Sequence, residues 1–499
     1  MEKTIEKRLE KIYNWFKNPY NLALVCLIIF VLVVRLYYFT QTMDQVLWWD
    51  EAEYMIKAKN IAFGTPTTGW MGEIRPLGLP VFAALLFKAG LGEVLIRFTW
   101  VLISVLNIYL IYLIGHNLFS KRVGLISALV YSLLYLDIFY TTRLLVDVPQ
   151  MFFISLSMYL FTKVHFKGGD KRLIYLILPT LFIGCLFRFT VGLVIITLLI
   201  FLLTTKRLSL FKEKEWYISS ILGLLTFVPY MIYSQINYGN PIKAISYVLF
   251  TGEGQRSATP IKVLLNYITY FPNYFHWIFL ILFILGLLVC LFYLVVSFDL
   301  LHKKKEMQRF YFLVLMIVIP ILFFGLYINH FEDRYILMTF PFICLTIGYM
   351  TNELYAFFSK YNKMIITAVL VVLFCIAGYS DLSHTDNLIK SKVESYKDFK
   401  LGGEWILENT NKQDIVFATG QPQFTYYSER PTFSYPQNRE EFINNISYDL
   451  NDNGSRYFVV SIWEQSPQWV YEMFSNQAKY TPVKVYTLNG KVSTAIFRE

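Results

Sequence analysis

The stretch LALVCLIIFVLVVRLYY at residues 22–38 is the first of many long apolar runs in this chain, and WWDEAEY follows it at residues 48–54. A helix that crosses a bilayer needs about 20 predominantly apolar residues. Over all 499 residues, 56% are hydrophobic and 16% are charged. This composition predicts a multi-pass α-helical membrane protein. The basic residues before the first run favour a retained first span over a cleaved signal peptide.

The orientation of the spans follows from the short basic loops, because Lys and Arg are held on the cytoplasmic side. These loops are at residues 120–122, 163–172, 206–214, 302–309 and 360–363. The stretches then placed outside the cell are 41–75, 141–147, the turn near Arg188, 238–272 and 329–334. The pattern predicts about 11 transmembrane helices in the cell membrane, with a cytoplasmic N-terminus and an extracytoplasmic C-terminal domain.

Two apolar segments do not fit a single crossing. Residues 76–88 are too few to cross, so we predict a re-entrant or interfacial helix there. Residues 173–203 are too many for one crossing and too few for two full ones. We predict two short helices that meet at a turn carrying Arg188.

The composition changes after Ser380, where long apolar runs end. We therefore divide the chain into a transmembrane domain at residues 1–380, with its first external loop at 41–75, and a soluble α/β domain at 381–499. Residues 395–409 have the apolar spacing of a helix. Short β-branched and aromatic runs predict strands at 414–418, 457–462, 483–487 and 493–497.

Several protein classes are disfavoured. The net charge of +10 lies mostly in the loops predicted to be cytoplasmic, which indicates contact with the lipid bilayer and no nucleic-acid partner. The five cysteines lie in apolar runs, so no disulfide framework is predicted for the external domain. A glycine-rich phosphate loop followed by Lys-Ser or Lys-Thr is missing from the sequence, which argues against a nucleotide-driven pump.

Charged residues gather on the predicted external face. Three motifs lie there: DEAEY at 50–54, EIRPLG at 73–78 and RLLVDVP at 143–149. Further cations follow at Arg188, Arg256 and Arg334, the last beside Tyr335. Carboxylates can accept a proton from a nucleophile, and guanidinium groups match phosphate oxygens. Taken alone, each motif is better explained as a solvated loop of unconnected charges, and only their combination favours a reaction site.

The order of these motifs resembles the GT-C glycosyltransferase superfamily, and within it protein O-mannosyltransferases and lipid A aminoarabinose transferases. The resemblance covers most of residues 20–380. It implies a GT-C fold and an enzyme, a hexosyl- or pentosyltransferase, that uses a polyprenyl-phosphate-linked sugar. We expect an inverting transfer of that sugar to an acceptor hydroxyl of a protein, lipid or glycan.

The resemblance and the motifs together assign roles to residues. Asp50 matches the catalytic acid of the family, and Glu51 stands beside it as a positioning residue in the catalytic pair. The residues assigned to the acceptor and the cavity are Tyr54, Glu73, Arg75, Arg143 and Asp147. The residues assigned to the donor phosphate are Arg188, Arg256, Arg334 and Tyr335.

A metal cofactor and two other functions are left open at this stage. Some members of the superfamily use a divalent metal, for which Glu73 and His330 are the candidate ligands. The main alternative function is a lipid or polyol transporter or flippase that uses the acidic cluster for proton or cation coupling. Transporters of that kind often carry internal repeats, and we find no such duplication. A membrane scaffold whose external domain binds a partner is the third alternative.

Overall fold

A computed structural model describes residues 10, 13–247, 249, 259–328, 330–445, 454–475, 480–488 and 490–499. The chain forms two compact units. The helical unit comprises Met1–Thr40, Phe98–Thr142 and Val146–Ile389. The α/β unit comprises Gln41–Arg97, Arg143–Leu145 and Lys390–Glu499.

Helices make up most of the described residues. In chain order they are α1 Pro19–Thr42, α2 Trp49–Phe63, α3 Gly78–Lys88, α4 Glu93–Leu118, α5 Lys121–Leu133, α6 Tyr135–Thr141, α7 Asp147–Lys167, α8 Ile174–Phe187, α9 Gly192–Lys206, α10 Lys214–Tyr238, α11 Lys243–Ser246, α12 Pro260–Tyr274, α13 Trp277–Val296, α14 Lys305–Leu322, α15 Phe340–Phe358, α16 Lys363–Lys392, α17 Lys397–Asn409, α18 Gln421–Ser428, α19 Arg439–Asn445 and α20 Gln468–Ser475. A π-helical turn at Phe323–Ile328 and a 3-10 helix at Asp333–Thr339 lie between α14 and α15.

The multi-pass prediction is confirmed. Within the described ranges, eight helices are long and apolar enough to cross a membrane, or nine if α5 and α6, which meet at a 62° bend, form one broken span. Helices α7 and α8, which the sequence-based count included, are not among the eight. The figure of about 11 spans therefore stays a prediction. Helix α3 has 11 residues, too few to cross, as predicted.

The break predicted at Arg188 is confirmed. Helix α8 ends at Phe187, and Arg188 adopts an extended conformation with φ −152° and ψ 120°. A short 3-10 turn at Phe189–Val191 then leads into α9. Because Arg188 leaves the helical conformation, its side chain lies at the common tip of two short helices.

The C-terminal part of the α/β unit is built on a five-stranded sheet. Its strands are β1 Ile415–Ala418, β2 Thr432–Phe433, β3 Arg456–Ser461, β4 Pro482–Leu488 and β5 Lys491–Arg498. The strand order is β2-β1-β3-β5-β4, with β1 parallel to β2 and β3, and β5 antiparallel to β3 and β4. The four predicted strands and the predicted helix are present, whereas the two-residue strand β2 was not predicted.

Aromatic side chains build the core of this sheet domain. One buried cluster contains Phe417, Phe458 and Trp469, and another contains Phe399 and Phe424. Helices α17 and α18 contribute Phe399 and Phe424 respectively, so the second cluster attaches both helices to the sheet. Burial of such apolar surface is the main favourable contribution to folding of a small domain.

The domain boundary predicted after Ser380 falls inside α16, which continues without interruption to Lys392. A loss of apolar residues marks the end of a hydrophobic segment, but polar residues can continue the same helix. The C-terminal part of the α/β unit begins at Lys390. Residues Gln41–Arg97, assigned from sequence to the transmembrane domain, belong to the same unit as the sheet.

Candidate active site

The acidic motif forms the first turns of α2. Trp48 is the N-cap residue directly before the helix, and its backbone N–H donates to Glu51 Oε2 at 2.8 Å. Carboxylates are favoured in the first turn because they complement the positive end of the helix dipole. The three acids differ in accessibility, since the side chain of Asp50 is 25% exposed and those of Glu51 and Glu53 are at most 1% exposed. Of these three carboxylates, Asp50 is therefore the one that a substrate can reach.

Arg75 joins Asp50 to Glu53. Its Nη2 donates to Asp50 Oδ1 at 2.7 Å, and its Nε donates to Glu53 Oε2 at 2.7 Å. Residues three apart lie on one side of a helix, which is why one guanidinium reaches both acids. Trp49 Nε1 donates to the other oxygen of Glu53 at 2.9 Å, and the Tyr54 ring lies 5.5 Å from the guanidinium carbon.

Burial and ion pairing shift the pKa values of this cluster in opposite directions. Burial raises the pKa of Glu53, and Arg75 opposes that rise. The pKa of Arg75 is raised above its ordinary value because Tyr54, Asp50 and Glu53 outweigh the burial that would lower it. The structure thus brings together Asp50, Tyr54 and Arg75, and adds Glu53, whose position three residues after Asp50 was the available sequence signal.

Glu51 has different partners from Asp50. Its Oε1 accepts from the backbone N–H of Leu144 at 2.6 Å, and the guanidinium groups of Arg97 and Arg143 approach it at 3.8 Å and 3.7 Å. Arg143 also lies 3.5 Å from the centre of the Trp48 ring. Glu51 and Arg143 are almost completely buried, so their geometry fits fixing the start of α2 against residues 143–145 and does not fit direct contact with a substrate.

The sheet domain contacts the segment before α2 through α18. The Leu47 N–H donates to the Tyr427 hydroxyl oxygen at 2.9 Å, directly before Trp48. The Tyr426 hydroxyl donates to Glu93 Oε2 at 3.2 Å, and Glu93 in turn accepts from Arg97 at 2.9 Å.

Lys59 provides a second connection between α2 and the sheet domain, because its Nζ donates to Glu429 Oε1 at 2.8 Å and to the Tyr426 carbonyl at 3.1 Å. The sheet domain therefore contacts the chain at both ends of α2.

A second charged cluster lies in the helical unit. Arg188 pairs with Asp147, whose side chain is 1% exposed while that of Arg188 is 15% exposed. The Arg188 guanidinium carbon lies 5.1 Å from the centre of the Tyr335 ring. The neighbouring Arg334 places its Nε 3.1 Å from Glu332 Oε1. Asp147, assigned from sequence to the acceptor cavity, thus lies with Arg188 and Tyr335, which were assigned to the donor phosphate, and Arg334 precedes Tyr335 in the chain.

Three further predicted residues have simpler outcomes. Glu73 is exposed in the turn before Arg75. Arg256 lies outside the described residues. His330 lies 3.8 Å from Glu332. Within the described ranges, no group of three or more His, Cys, Asp or Glu side chains is arranged to hold a metal ion, so Glu73 and His330 gain no further ligands there.

An ion pair in the interior of the helical unit was not predicted. Arg35 of α1 donates to Asp137 Oδ2 of α6 at 2.7 Å, and Ser104 of α4 donates to the same oxygen at 3.0 Å. Arg35 and Asp137 are at most 2% exposed. The sequence signal was an arginine inside the first apolar run, since such residues in spans usually have a partner.

The sequence family described as dolichyl-phosphate-mannose-protein mannosyltransferase matches residues 75–233. No curated protein sequence matches the chain.

Solved structures give matches over almost the whole chain. ArnT from Cupriavidus metallidurans bound to undecaprenyl phosphate is 12% identical with a TM-score of 0.66, covering 95% of this chain and 97% of its own. The oligosaccharyltransferase of Archaeoglobus fulgidus in its apo form is 13% identical with a TM-score of 0.66, covering 96% of this chain and 75% of its own. The A. fulgidus oligosaccharyltransferase AglB in complex with an inhibitory peptide and a dolichol-phosphate is 11% identical with a TM-score of 0.60, covering 96% and 74%.

Proposed function

We propose that this protein, which has the GT-C fold, is an inverting glycosyltransferase that moves a sugar from a polyprenyl-phosphate donor to an acceptor hydroxyl. The fold is the one found in ArnT bound to undecaprenyl phosphate and in AglB bound to a dolichol-phosphate. By this proposal the acceptor is a protein, lipid or glycan at the external membrane face. The basic loops support that side, because they are expected to remain cytoplasmic.

Asp50 is the proposed general base. Its carboxylate takes the proton of the acceptor hydroxyl while the hydroxyl oxygen attacks the anomeric carbon of the sugar. The bond from that carbon to the phosphate oxygen breaks, and its electron pair leaves with the phosphate. A single displacement of this kind inverts the configuration at the anomeric carbon. The single observation that carries the proposal is that Asp50 combines exposure with a guanidinium partner, Arg75.

Arg75 and Glu53 hold the base in place. Because Arg75 donates to both carboxylates, the Asp50 side chain is fixed in one orientation toward the exposed side of α2. Tyr54 packs beneath the guanidinium. We assign Glu73 to the acceptor side on the strength of its exposure and its closeness in sequence to Arg75. Glu51 and Arg143 are buried and fix the start of α2 against residues 143–145.

Arg188 and Arg334 are the proposed partners of the leaving phosphate. As the bond to the sugar breaks, negative charge accumulates on the phosphate oxygens, and guanidinium groups stabilise that charge through paired N–H donors. Asp147 orients Arg188, and Tyr335 packs against its guanidinium. Arg256 is assigned to the donor phosphate from its sequence position. No step of this mechanism requires a metal ion.

The test is sugar transfer by the purified protein in detergent with synthetic polyprenyl-phosphate sugars. Release of polyprenyl phosphate is measured, because that product forms with any acceptor. We expect release that depends on the protein and on a hydroxyl acceptor, with opposite anomeric configurations in donor and product by NMR. Movement of the intact donor across a liposome membrane without release of polyprenyl phosphate would instead support the transporter alternative.

A further inference from the structure

A cavity of about 260 Å³ lies in the helical unit, among the loops predicted to be cytoplasmic. Its walls come from the C-terminal end of α7, the start of α8, the end of α9 and the starts of α10 and α14. Charged side chains line one part of it, namely Lys171, Lys206, Lys305 and Glu213, with His165 beside them. Three lysines against one carboxylate leave an excess of positive charge.

The carboxylate of Glu213 is already paired with Lys206. Glu213 accepts hydrogen bonds from Lys206 Nζ at 2.7 Å and 2.6 Å, and from Trp216 Nε1 at 3.2 Å. Lys171 and Lys305 are exposed at the surface around the cavity. The charges of these two lysines are therefore the ones available to an incoming anion.

The hydrogen bonds of His165 show why Lys305 is suited to an external anion. Gln308 Nε2 donates to the Leu301 carbonyl at 2.9 Å, which identifies its other terminal atom as the oxygen. That oxygen lies 2.9 Å from His165 Nε2, so this ring nitrogen carries the hydrogen and donates it. The Lys305 ammonium, 3.1 Å from the same nitrogen, consequently faces an N–H group and finds no acceptor in His165.

The rest of the cavity wall is apolar. Phe161, Ile174, Ile177 and Trp216 line it and are buried. Cationic groups beside an apolar wall suit an amphiphilic anion, whose charged group meets the lysines while its hydrocarbon part meets the aromatic and aliphatic side chains.

This cavity is separate from the cluster assigned to the donor phosphate. Asp147 is the first residue of α7 and His165 is near its end, so at 1.5 Å per residue they lie roughly 27 Å apart. Arg188 likewise follows the last residue of α8, whereas Ile174 is its first. The cavity and the Asp147–Arg188 pair therefore lie at opposite ends of the same two helices.

We propose that this cavity binds the phosphate group of an anionic membrane phospholipid, with Lys171 and Lys305 as its principal contacts and the apolar wall beside the lipid chain. A soluble phosphate monoester or inorganic phosphate could offer the same charged group to the two lysines. The apolar wall favours the lipid as the source. The site is independent of the transfer reaction, and a failure of either proposal leaves the other standing.

The experiment titrates the full-length protein, purified in a neutral detergent, with dioctanoyl phosphatidic acid and counts bound lipid by native mass spectrometry. Dioctanoyl phosphatidylcholine and inorganic phosphate are the comparison probes. The test variant is Lys171→Ala with Lys305→Ala, which leaves the Lys206–Glu213 pair intact. The matched control is Lys360→Ala with Lys363→Ala, two exposed lysines that do not line the cavity, one in the α15–α16 connection and one at the start of α16.

We expect the test variant to bind phosphatidic acid roughly 25-fold more weakly, a factor of about five for each lysine beside an anionic headgroup, and the control to bind like the wild type. Unchanged binding by the test variant, or equal loss in both variants, would overturn the site. Phosphatidylcholine binding as tightly as phosphatidic acid would overturn the role of charge. Inorganic phosphate binding as tightly as phosphatidic acid would overturn the lipid as the source.

Discussion

Arg75 Nη2 donates a 2.7 Å hydrogen bond to Asp50 Oδ1, and the same guanidinium holds the buried Glu53 through its Nε. The partly exposed Asp50 is therefore oriented by Arg75, whose Nε is bound to a buried carboxylate of the same unit. Orientation of this kind matters for a general base, because a displacement of about 1 Å can cost on the order of 100-fold in rate.

Replacement of Arg75 by Lys tests that anchoring. Lysine keeps the positive charge but is a single point donor, and it cannot reproduce the fork that reaches two carboxylates. We expect turnover to fall by roughly 10- to 100-fold while the protein stays folded. Release of polyprenyl phosphate gives the rate, with Arg172→Lys at an exposed position as the matched control. Wild-type turnover in Arg75→Lys would show that the double contact is dispensable.

Glu51→Gln is expected to affect stability more than Asp50→Asn does. Glu51 is buried between two N–H donors and two guanidinium groups, and removal of its charge weakens the electrostatic attraction to Arg97 and Arg143. We expect a loss of about 1 to 3 kcal/mol in the free energy of unfolding, read as a lower melting temperature in detergent. Equal melting temperatures for the two variants would contradict the separate roles assigned to these neighbouring acids.

Arg188→Ala and Arg334→Ala are expected to weaken donor use more than acceptor use. Each variant loses charge-assisted hydrogen bonds to phosphate, worth about 1.5 to 3 kcal/mol apiece. Titration of donor and acceptor in separate series measures the two KM values, and Arg172→Ala serves as the control. A change confined to the acceptor KM would mean that these arginines do not hold the phosphate.

The orientation of the chain can be tested by cysteine labelling in a cysteine-free background. A cysteine at Asn411, in the α/β unit, should react with a membrane-impermeant reagent in intact cells, and one at Lys304 should not, because short basic loops stay cytoplasmic. Labelling of Asn411 only after permeabilisation would reverse the assignment of the external face. The roles proposed for Asp50 and Asp147 on that face would then fail.

Local periodicity and residue conformation account for what could be predicted from the sequence. The break at Arg188 follows from an apolar segment that is too long for one membrane crossing and too short for two. Strands β1, β3, β4 and β5 follow from short β-branched and aromatic runs. The position of Arg75 beside Asp50 was inferred from a resemblance, and Glu53 was available from the three-residue spacing on a helix.

Contacts between distant segments could not be predicted in this way. The partner of Arg35 is 102 residues away, and that of Leu47 is 380 residues away. Nothing in the composition of α18 indicates that Tyr427 accepts the Leu47 N–H, because that pairing depends on how the sheet domain packs against α2. For the same reason Glu51 was grouped with Asp50 by adjacency, although neighbouring residues on a helix face different directions.

The most direct test of the account compares Asp50→Asn with Asp44→Asn in the transfer assay. Asp44 is an exposed acid in the same loop, before α2, and it controls for the loss of one surface charge. We predict that Asp50→Asn lowers turnover by about 100- to 10,000-fold, the usual cost of losing a general base, while Asp44→Asn and the melting temperatures of both variants match the wild type. Wild-type turnover in Asp50→Asn would remove Asp50 from the mechanism and contradict the central claim.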